Sequence, residues 1–420
     1  VSRRYVVVGS GVAGVAGAEA IRMADADGSV TLFNGEPFPF YYRAALSFCV
    51  RGALDEERLR ARPVDWADRW RIRTVDAGVD RIDVDARRVV ADDGSVLPYD
   101  RLLVATGAEP ITPPWPGADL PGIVTYRSLA SLRRMVETIR TSGAKKGVVV
   151  GGGILGVELA ENFTNLGLAV TMLVREERIL ELLLDERGGK IVADRMAKAG
   201  IRIRTGVEAD RFEGEATTGV KRVILADGSS VETDIVGVAV GVRPSAPPLV
   251  GAPVDTRRGV MVDDDLSVRG VADVWAAGDC AVRSVGDGPI PCRTWLTAGG
   301  MGKTAGTNMA RDEKTPYRPP VFFNASHAYD LPYAVVGDYR ANEASGARRI
   351  VVEERPDSYR MIVLREGRVA GGVCLGDIRP AWQIMTAIEN GGATADETTL
   401  TMGAPGGFVR GLPPLAHRLF

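Results

Sequence analysis

The chain has 420 residues, 45% of them hydrophobic and 25% charged, with a formal net charge of −2; this supports two or three domains with their own cores and does not point to a polyanion partner such as nucleic acid. After Val1-Ser2-Arg3-Arg4 an apolar run of only four residues is no secretory leader, and no segment nears the ~20 apolar residues of a membrane span, so a cytoplasmic enzyme is expected. Cys49, Cys280, Cys292 and Cys374 lack CxxC or CxxxxC spacing, and His327 and His417 read as surface or packing residues, which excludes a locally encoded dithiol, iron–sulfur or zinc centre.

Val6-Val7-Val8 runs into Gly9-Ser10-Gly11-Val12-Ala13-Gly14, a buried-type strand followed by GxGxxG. A helix over residues 12–24 and a strand over residues 30–33 complete a βαβ start. Gly9, Gly11 and Gly14 would let amides at a helix N-terminus approach a pyrophosphate. In the following loop Glu36 is the carboxylate available to ribose hydroxyls. Residues 41–73 are rich in arginine and polar helix formers, and Asp93-Gly94 marks a turn in a β meander ending before Tyr99. Residues 101–107 read as another buried strand, closing on Ala105, Thr106 and Gly107, small enough for backbone to approach a cofactor. A proline-rich crossover over residues 110–121 marks the first boundary.

Val148-Val149-Val150 then enters a second fingerprint, Gly151-Gly152-Gly153-Ile154-Leu155-Gly156. One GxGxxG is weak, because such turns also occur simply to pack a helix on a strand. Two, each after a short buried strand, point to two dinucleotides on one chain, with Gly151, Gly153, Ile154 and Gly156 at the second site. A flavin nucleotide and a nicotinamide nucleotide are the pair that can exchange a hydride. Residues 236–242 close this unit and Arg243-Pro244 returns the chain. A strand then ends in Gly278-Asp279, and a helix is predicted over residues 295–311. Short strands at 334–336, 360–364 and 369–375 and a helix at 381–389 form a smaller third domain. The expected fold class is α/β: two Rossmann-like (βαβ) dinucleotide-binding domains, residues 1–113 with 243–318 and residues 114–242, plus a small α+β C-terminal domain, 319–420.

The paired fingerprints, the Ala-Thr-Gly ending at residues 105–107 and Trp275-Ala276-Ala277-Gly278-Asp279 stand in an order that resembles the two-dinucleotide-binding-domain flavoproteins, the pyridine nucleotide-disulfide oxidoreductase superfamily. Within it, Glu36-Pro37, Tyr42-Arg43 and Leu46-Ser47 resemble rubredoxin and ferredoxin reductases and the flavin region of assimilatory nitrite reductase. Trp295, before Ala298 and Gly302, resembles the tryptophan-bearing helix start of ferredoxin reductases, and residues 331–337 are similar to their third domain. The resemblance implies FAD and NAD(P)H as cofactors and an iron–sulfur electron-transfer protein or subunit as partner, including membership of a hetero-oligomeric complex like that of phenylglyoxylate dehydrogenases. It also implies that Asp279 bonds the ribityl chain or a phosphate, that Gly302 and its neighbours aim a helix N-terminus at the flavin's pyrimidine end, and that Glu158 reaches the flavin–nicotinamide junction. The plainer reading of Glu158 is an exposed helix carboxylate.

Two departures stand out. Phe48 occupies the place where the family often has a lysine able to pair with that glutamate, and Arg43 is the expected substitute cation, making Glu158 and Arg43 the candidate catalytic pair. Where NAD-specific relatives have an acid, this chain has Val174 and Arg175. Arg175 and Arg178 favour a 2′-phosphate while Glu176 and Glu177 oppose it, which leaves NAD against NADP open. Two further readings compete with an electron-transfer reductase. One makes Cys49 the thiol of a peroxide or disulfide reductase, against its reading as a buried small hydrophobe. The other is a redox-sensing interaction protein similar to apoptosis-inducing factor.

Overall fold

The computed structural model describes residues 2–285, 288–291 and 294–391; Cys292 and His417 lie outside the described residues. The chain divides into two compact units. The first comprises Val1–Ala44, Leu54–Pro110 and Val242–Pro320, and the second Ala45–Ala53, Ile111–Gly241 and Val321–Phe420.

The first unit is built on a five-stranded parallel sheet in the order Val274–Ala276, Arg101–Val104, Arg4–Val8, Ser29–Phe33, Ile72–Val75. Its central strands are unbroken apolar runs because both faces are covered. The helix Val12–Ala24 follows the first strand and packs against the helix Trp295–Ala310 through small residues. A Cβ on Gly302 would lie 2.0 Å from the Ala13 carbonyl oxygen, and one on Gly306 2.2 Å from that of Gly17, so the two backbones touch where no side chain fits. The predicted meander is present as the antiparallel strands Val79–Asp83, Arg88–Ala91 and Val96–Pro98. Ile72–Val75 escaped the sequence reading because its alternation is interrupted by charged neighbours.

The second unit repeats the parallel plan in the order Arg202–Arg204, Ala169–Leu173, Lys146–Val150, Ile235–Val238, Ile123–Thr125. Helix Leu129–Ser142 begins with a Ser128 capping box and buries Leu129, Leu132, Met135 and Ile139 at helical spacing. The element expected over residues 236–242 ends at Val238; Gly241, at φ +124°, turns the chain, and Val242–Pro244 pairs with Ala108–Pro110 in the first unit.

Also within the second unit lies an antiparallel five-stranded sheet, Phe323–Ala328, Leu331–Gly337, Arg368–Leu375, Ser358–Arg365, Ala347–Arg355. The amphipathic helix Arg379–Glu389 covers it with Ala381 and Ile384, and Trp382 stacks on Phe323 at 4.6 Å. Phe323–Ala328 and Ala347–Arg355 are longer than any sequence signal suggested, since both carry polar side chains where a core strand would alternate.

Candidate dinucleotide sites and the carboxylates beside them

The two fingerprint turns have the same geometry. Gly9 and Gly151 adopt φ +106° and +120°, and a Cβ there would lie 2.4 Å from the Ala105 carbonyl oxygen and 2.3 Å from that of Ala239. On Gly14 and Gly156 it would strike the carbonyls of Gly9 and Gly151 at 1.8 and 2.1 Å. These four glycines are demanded by packing. Gly11 and Gly153 differ: a Cβ on either would meet nothing within 4 Å. Each is the N-cap of its helix and supplies no side-chain cap, whereas Ser128, Asp185 and Thr294 cap the helices that follow them. Space is thus open beside each helix N-terminus, the positive end of a helix dipole, where first-turn amides such as that of Ile154 have no acceptor within the helix, which fits the pyrophosphate of a dinucleotide at each turn.

Around the first turn, Ser10 Oγ donates to Asn34 Oδ1 at 2.5 Å. Glu36 accepts from Arg43 Nη2 at 2.6 Å and from the Tyr41 hydroxyl at 2.8 Å, while Arg43 also lies 4.8 Å over the Tyr41 ring. A carboxylate has about four acceptor positions, so Glu36 keeps capacity for ribose hydroxyls. The Ala105 amide bonds to Val8, the Thr106 hydroxyl donates to the Ser245 carbonyl, and Gly107 turns at φ +76°. Gly278, at φ +77°, opens the turn carrying Asp279, and a Cβ on it would lie 3.0 Å from the Ala13 side chain at the start of the fingerprint helix. Trp295 stacks on Phe40 at 5.5 Å and leans on Tyr42 at 5.6 Å. Helix amides that could face a ligand belong to the turn at Trp295; Gly302 lies deeper, and its place is explained by the close approach to Ala13. Burial raises the Cys280 thiol, which donates to Val104.

In the second unit Glu158 and Glu161 stand one turn apart on the helix Ile154–Asn165, both buried, which removes the reading of Glu158 as an exposed carboxylate. Ser326 Oγ donates to Glu158 at 3.1 Å, and the Tyr329 amide donates to Glu161 at 3.2 Å. Arg51 forms an ion pair with Glu161. Burial pushes Glu158 up to about 7, countered by the Ser326 hydrogen bond, reinforced by Glu161 and eased by Arg51. Burial also raises Glu161, against the pull of Arg51. His327 is packed, not exposed: Phe48 lies 4.9 Å from it, Glu161 3.8 Å, and burial with the nearby Arg51 holds it down to about 4. Tyr126 and Tyr333 are raised by burial, and Glu158 adds to both shifts.

Arg43, the cation expected beside Glu158, is paired with Glu36. The cation acting on Glu158 in its own unit is Arg51, which sequence reasoning passed over because nothing local links residue 51 to residue 158. Glu161 could have been found from its i, i+3 spacing to Glu158. Ser326 and His327 could not, since the polar residues of Phe323–Ala328 hide the strand that carries them. Cys49 is half-buried in the short helix Leu46–Val50, more open than a buried hydrophobe, and no disulfide joins Cys49, Cys280 and Cys374. At the end of the strand Ala169–Leu173, Val174 is buried and Arg175 is exposed, paired with Glu176 at 3.2 Å; Arg178 pairs with Glu181 at 3.3 Å. Among the described residues no group of three His, Cys, Asp or Glu could hold a metal, and no helix is long and apolar enough to cross a membrane.

Residues 3–302 match the family model described as pyridine nucleotide-disulphide oxidoreductase, and residues 327–392 match the rubredoxin NAD+ reductase C-terminal domain. The chain is 28% identical over 390 residues to a nitrite reductase (NAD(P)H) of Bacillus subtilis, covering 92% of this chain and 47% of that one, so it spans about half the length of that relative. It is 30% identical over 371 residues to the NADH-dependent phenylglyoxylate dehydrogenase subunit epsilon of Aromatoleum evansii, covering 88% and 87% of the two chains. A ferredoxin reductase structure from Rhodopseudomonas palustris has the same fold, with TM-score 0.83 at 24% identity over 95% of this chain and 98% of that one. With two glycine turns built to receive dinucleotides and a family match across most of its length, the chain belongs to the pyridine nucleotide-disulphide oxidoreductase family and is an oxidoreductase whose cofactors are FAD and NAD(P)H.

Proposed function

We propose that the protein moves a hydride between nicotinamide C4 and flavin N5 and exchanges electrons singly with an iron–sulfur partner, a rubredoxin- or ferredoxin-type protein or a subunit of a larger redox complex. The balance is one NAD(P)H and two oxidised iron–sulfur centres giving NAD(P)+, one proton and two reduced centres, or the reverse. The observation that carries this reading is the pair of uncapped, glycine-lined helix N-termini on one chain. The match of residues 327–392 to a rubredoxin reductase domain supports the choice of partner.

Bound FAD would supply the junction between two-electron and one-electron chemistry. The chain's own residues bind and orient. Gly9, Gly11 and Gly14, with Glu36, Ala105, Thr106, Gly107, Gly278 and Asp279, form the flavin-nucleotide site in a part spanning residues 1–113 and 243–318. Trp295 shapes its far side, and Gly302 lets the Trp295 helix close on Ala13 behind it. Gly151, Gly153, Ile154 and Gly156, with Arg175, form the nicotinamide-nucleotide site in residues 114–242, and residues 319–420 form the third part. Glu158 supplies a buried carboxyl near neutrality, able to hold or give a proton at Oε1 or Oε2. Arg43 orients Glu36. Holding two reactants in line is itself a large share of such catalysis.

The purified protein should be yellow. Anaerobic NAD(P)H should bleach it, and an oxidised rubredoxin, ferredoxin or co-purifying iron–sulfur subunit should restore the colour within the turnover time. Bleaching with no reoxidation by any of these carriers would favour the redox-sensing reading instead.

A further inference from the structure

The second unit contains a cluster of charged and polar groups assembled from four separate stretches of chain. Arg51 and Ser47 come from residues 45–53, Tyr126 from the turn after Ile123–Thr125, Glu158, Glu161 and Asn162 from the fingerprint helix, and Ser326, His327, Tyr329 and Tyr333 from the hairpin of Phe323–Ala328 and Leu331–Gly337. Ser326 and Tyr333 are directly opposite each other in that hairpin. Ser47, Asn162, Tyr126 and Tyr333 are buried and their side-chain polar atoms find no hydrogen-bond partner of good geometry. So polar an interior persists only where its charges are organised.

Arg51 is the organising charge. Its guanidinium lies 5.4 Å from the centre of the Phe48 ring, and the His327 ring lies 4.9 Å from the same centre. Phe48, which replaces the lysine expected there, serves as the platform on which a cation three residues later is laid. From it Arg51 reaches Glu161, itself 3.8 Å from His327. Burial leaves His327 neutral, so Arg51 is the positive group opposite two buried carboxylates. Asp330, also close to Glu161, is engaged by Arg195 at 2.7 Å.

We propose that Arg51 is a positioning residue: stacked on Phe48 and paired with Glu161, it holds the helix carboxylates against the hairpin and governs the charge that Glu158 presents. Glu158 is faced by Glu161 on its own helix, by Arg51, by Tyr126 and by Ser326 and Tyr333 of the hairpin. Of these, Arg51 alone is a cation. The consequence for hydride transfer rests on the role given to Glu158 above; the effect on its charge does not.

The test follows, in the holoenzyme, the carboxylic-acid infrared band that Glu158→Gln removes. In Arg51→Met its titration midpoint should rise by about one pH unit or more. Arg51→Lys, which keeps the charge, should bring it back. Glu161→Gln, which releases the guanidinium from its partner and removes a repelling carboxylate, should lower it. A midpoint that stays put in Arg51→Met overturns the proposal. Should that variant fail to fold, a rise rather than a fall in Glu161→Gln overturns it equally. The rate of bleaching by NAD(P)H in Glu158→Gln is read separately: no change there removes Glu158 from the hydride step and leaves the titration result standing.

Discussion

Ser326 Oγ donates a 3.1 Å hydrogen bond to Glu158 Oε1, fastening the helix that follows the second glycine turn to a strand 168 residues further along the chain. The bond joins a group of ordinary surface chemistry to a carboxyl that burial has pushed up to about 7.

That shift makes stability depend on pH. A carboxyl titrating near 4.5 in the unfolded chain and near 7 in the folded one binds more protons when folded, so its contribution is fully present below 4.5 and is lost as pH rises through about 7. Glu158→Gln removes this dependence. Denaturant unfolding should find the variant close to wild type at pH 5 and more stable at pH 8, by something on the order of 3 kcal/mol. Equal stabilities at pH 8 would show that Glu158 is not desolvated.

The open space at Gly153 gives a second prediction. Gly153→Asp adds a side chain that fits, caps the helix and is worth about 1 kcal/mol to it, yet puts a carboxylate where a pyrophosphate belongs. NAD(P)H affinity, measured by fluorescence titration, should fall ~100-fold, the like-charge penalty adding to the lost amide contacts. FAD content and melting temperature should hold.

Gly302→Ala should behave in the opposite way. Its methyl would overlap the Ala13 carbonyl oxygen, where neither helix backbone can yield, so the first unit should lose about 3 kcal/mol and FAD with it. Thermal unfolding with simultaneous release of flavin fluorescence is the readout; a variant as stable as wild type would mean the helices are further apart.

Arg175 is exposed and its partner Glu176 is an adjacent surface residue, an ion pair of little strength. Arg175→Ala should therefore weaken NADPH binding ~10-fold by removing a 2′-phosphate contact and leave NADH within ~2-fold. Equal losses for both nucleotides would place the guanidinium elsewhere.

Cys49 offers a clean contrast between reaction types. Hydride transfer between two cofactors needs no protein nucleophile, so Cys49→Ser should retain turnover with an iron–sulfur acceptor within ~2-fold, read in a steady-state assay. Loss of all activity would point to thiol chemistry.

Both glycine turns were legible from residues alone, because a strand, a tight turn and a helix start lie within about ten residues and each step has its own local requirement: apolar run, positive φ, absent Cβ. The helix Val12–Ala24 and the parallel character of both sheets follow from the same short-range patterns. Arg43 pairing with Glu36 is also nearly local, though a charge needs a partner and the sequence does not say which is near. The cluster of Arg51, Glu158, Glu161, Ser326 and His327 belongs wholly to tertiary structure. Its members are drawn from stretches more than 100 residues apart, and neither periodicity nor composition records such neighbours. Glu158 carries the same side chain as any helix carboxylate in the sequence. Burial in the tertiary structure takes away its water, and desolvation, not residue type, is what moves a carboxyl toward neutrality.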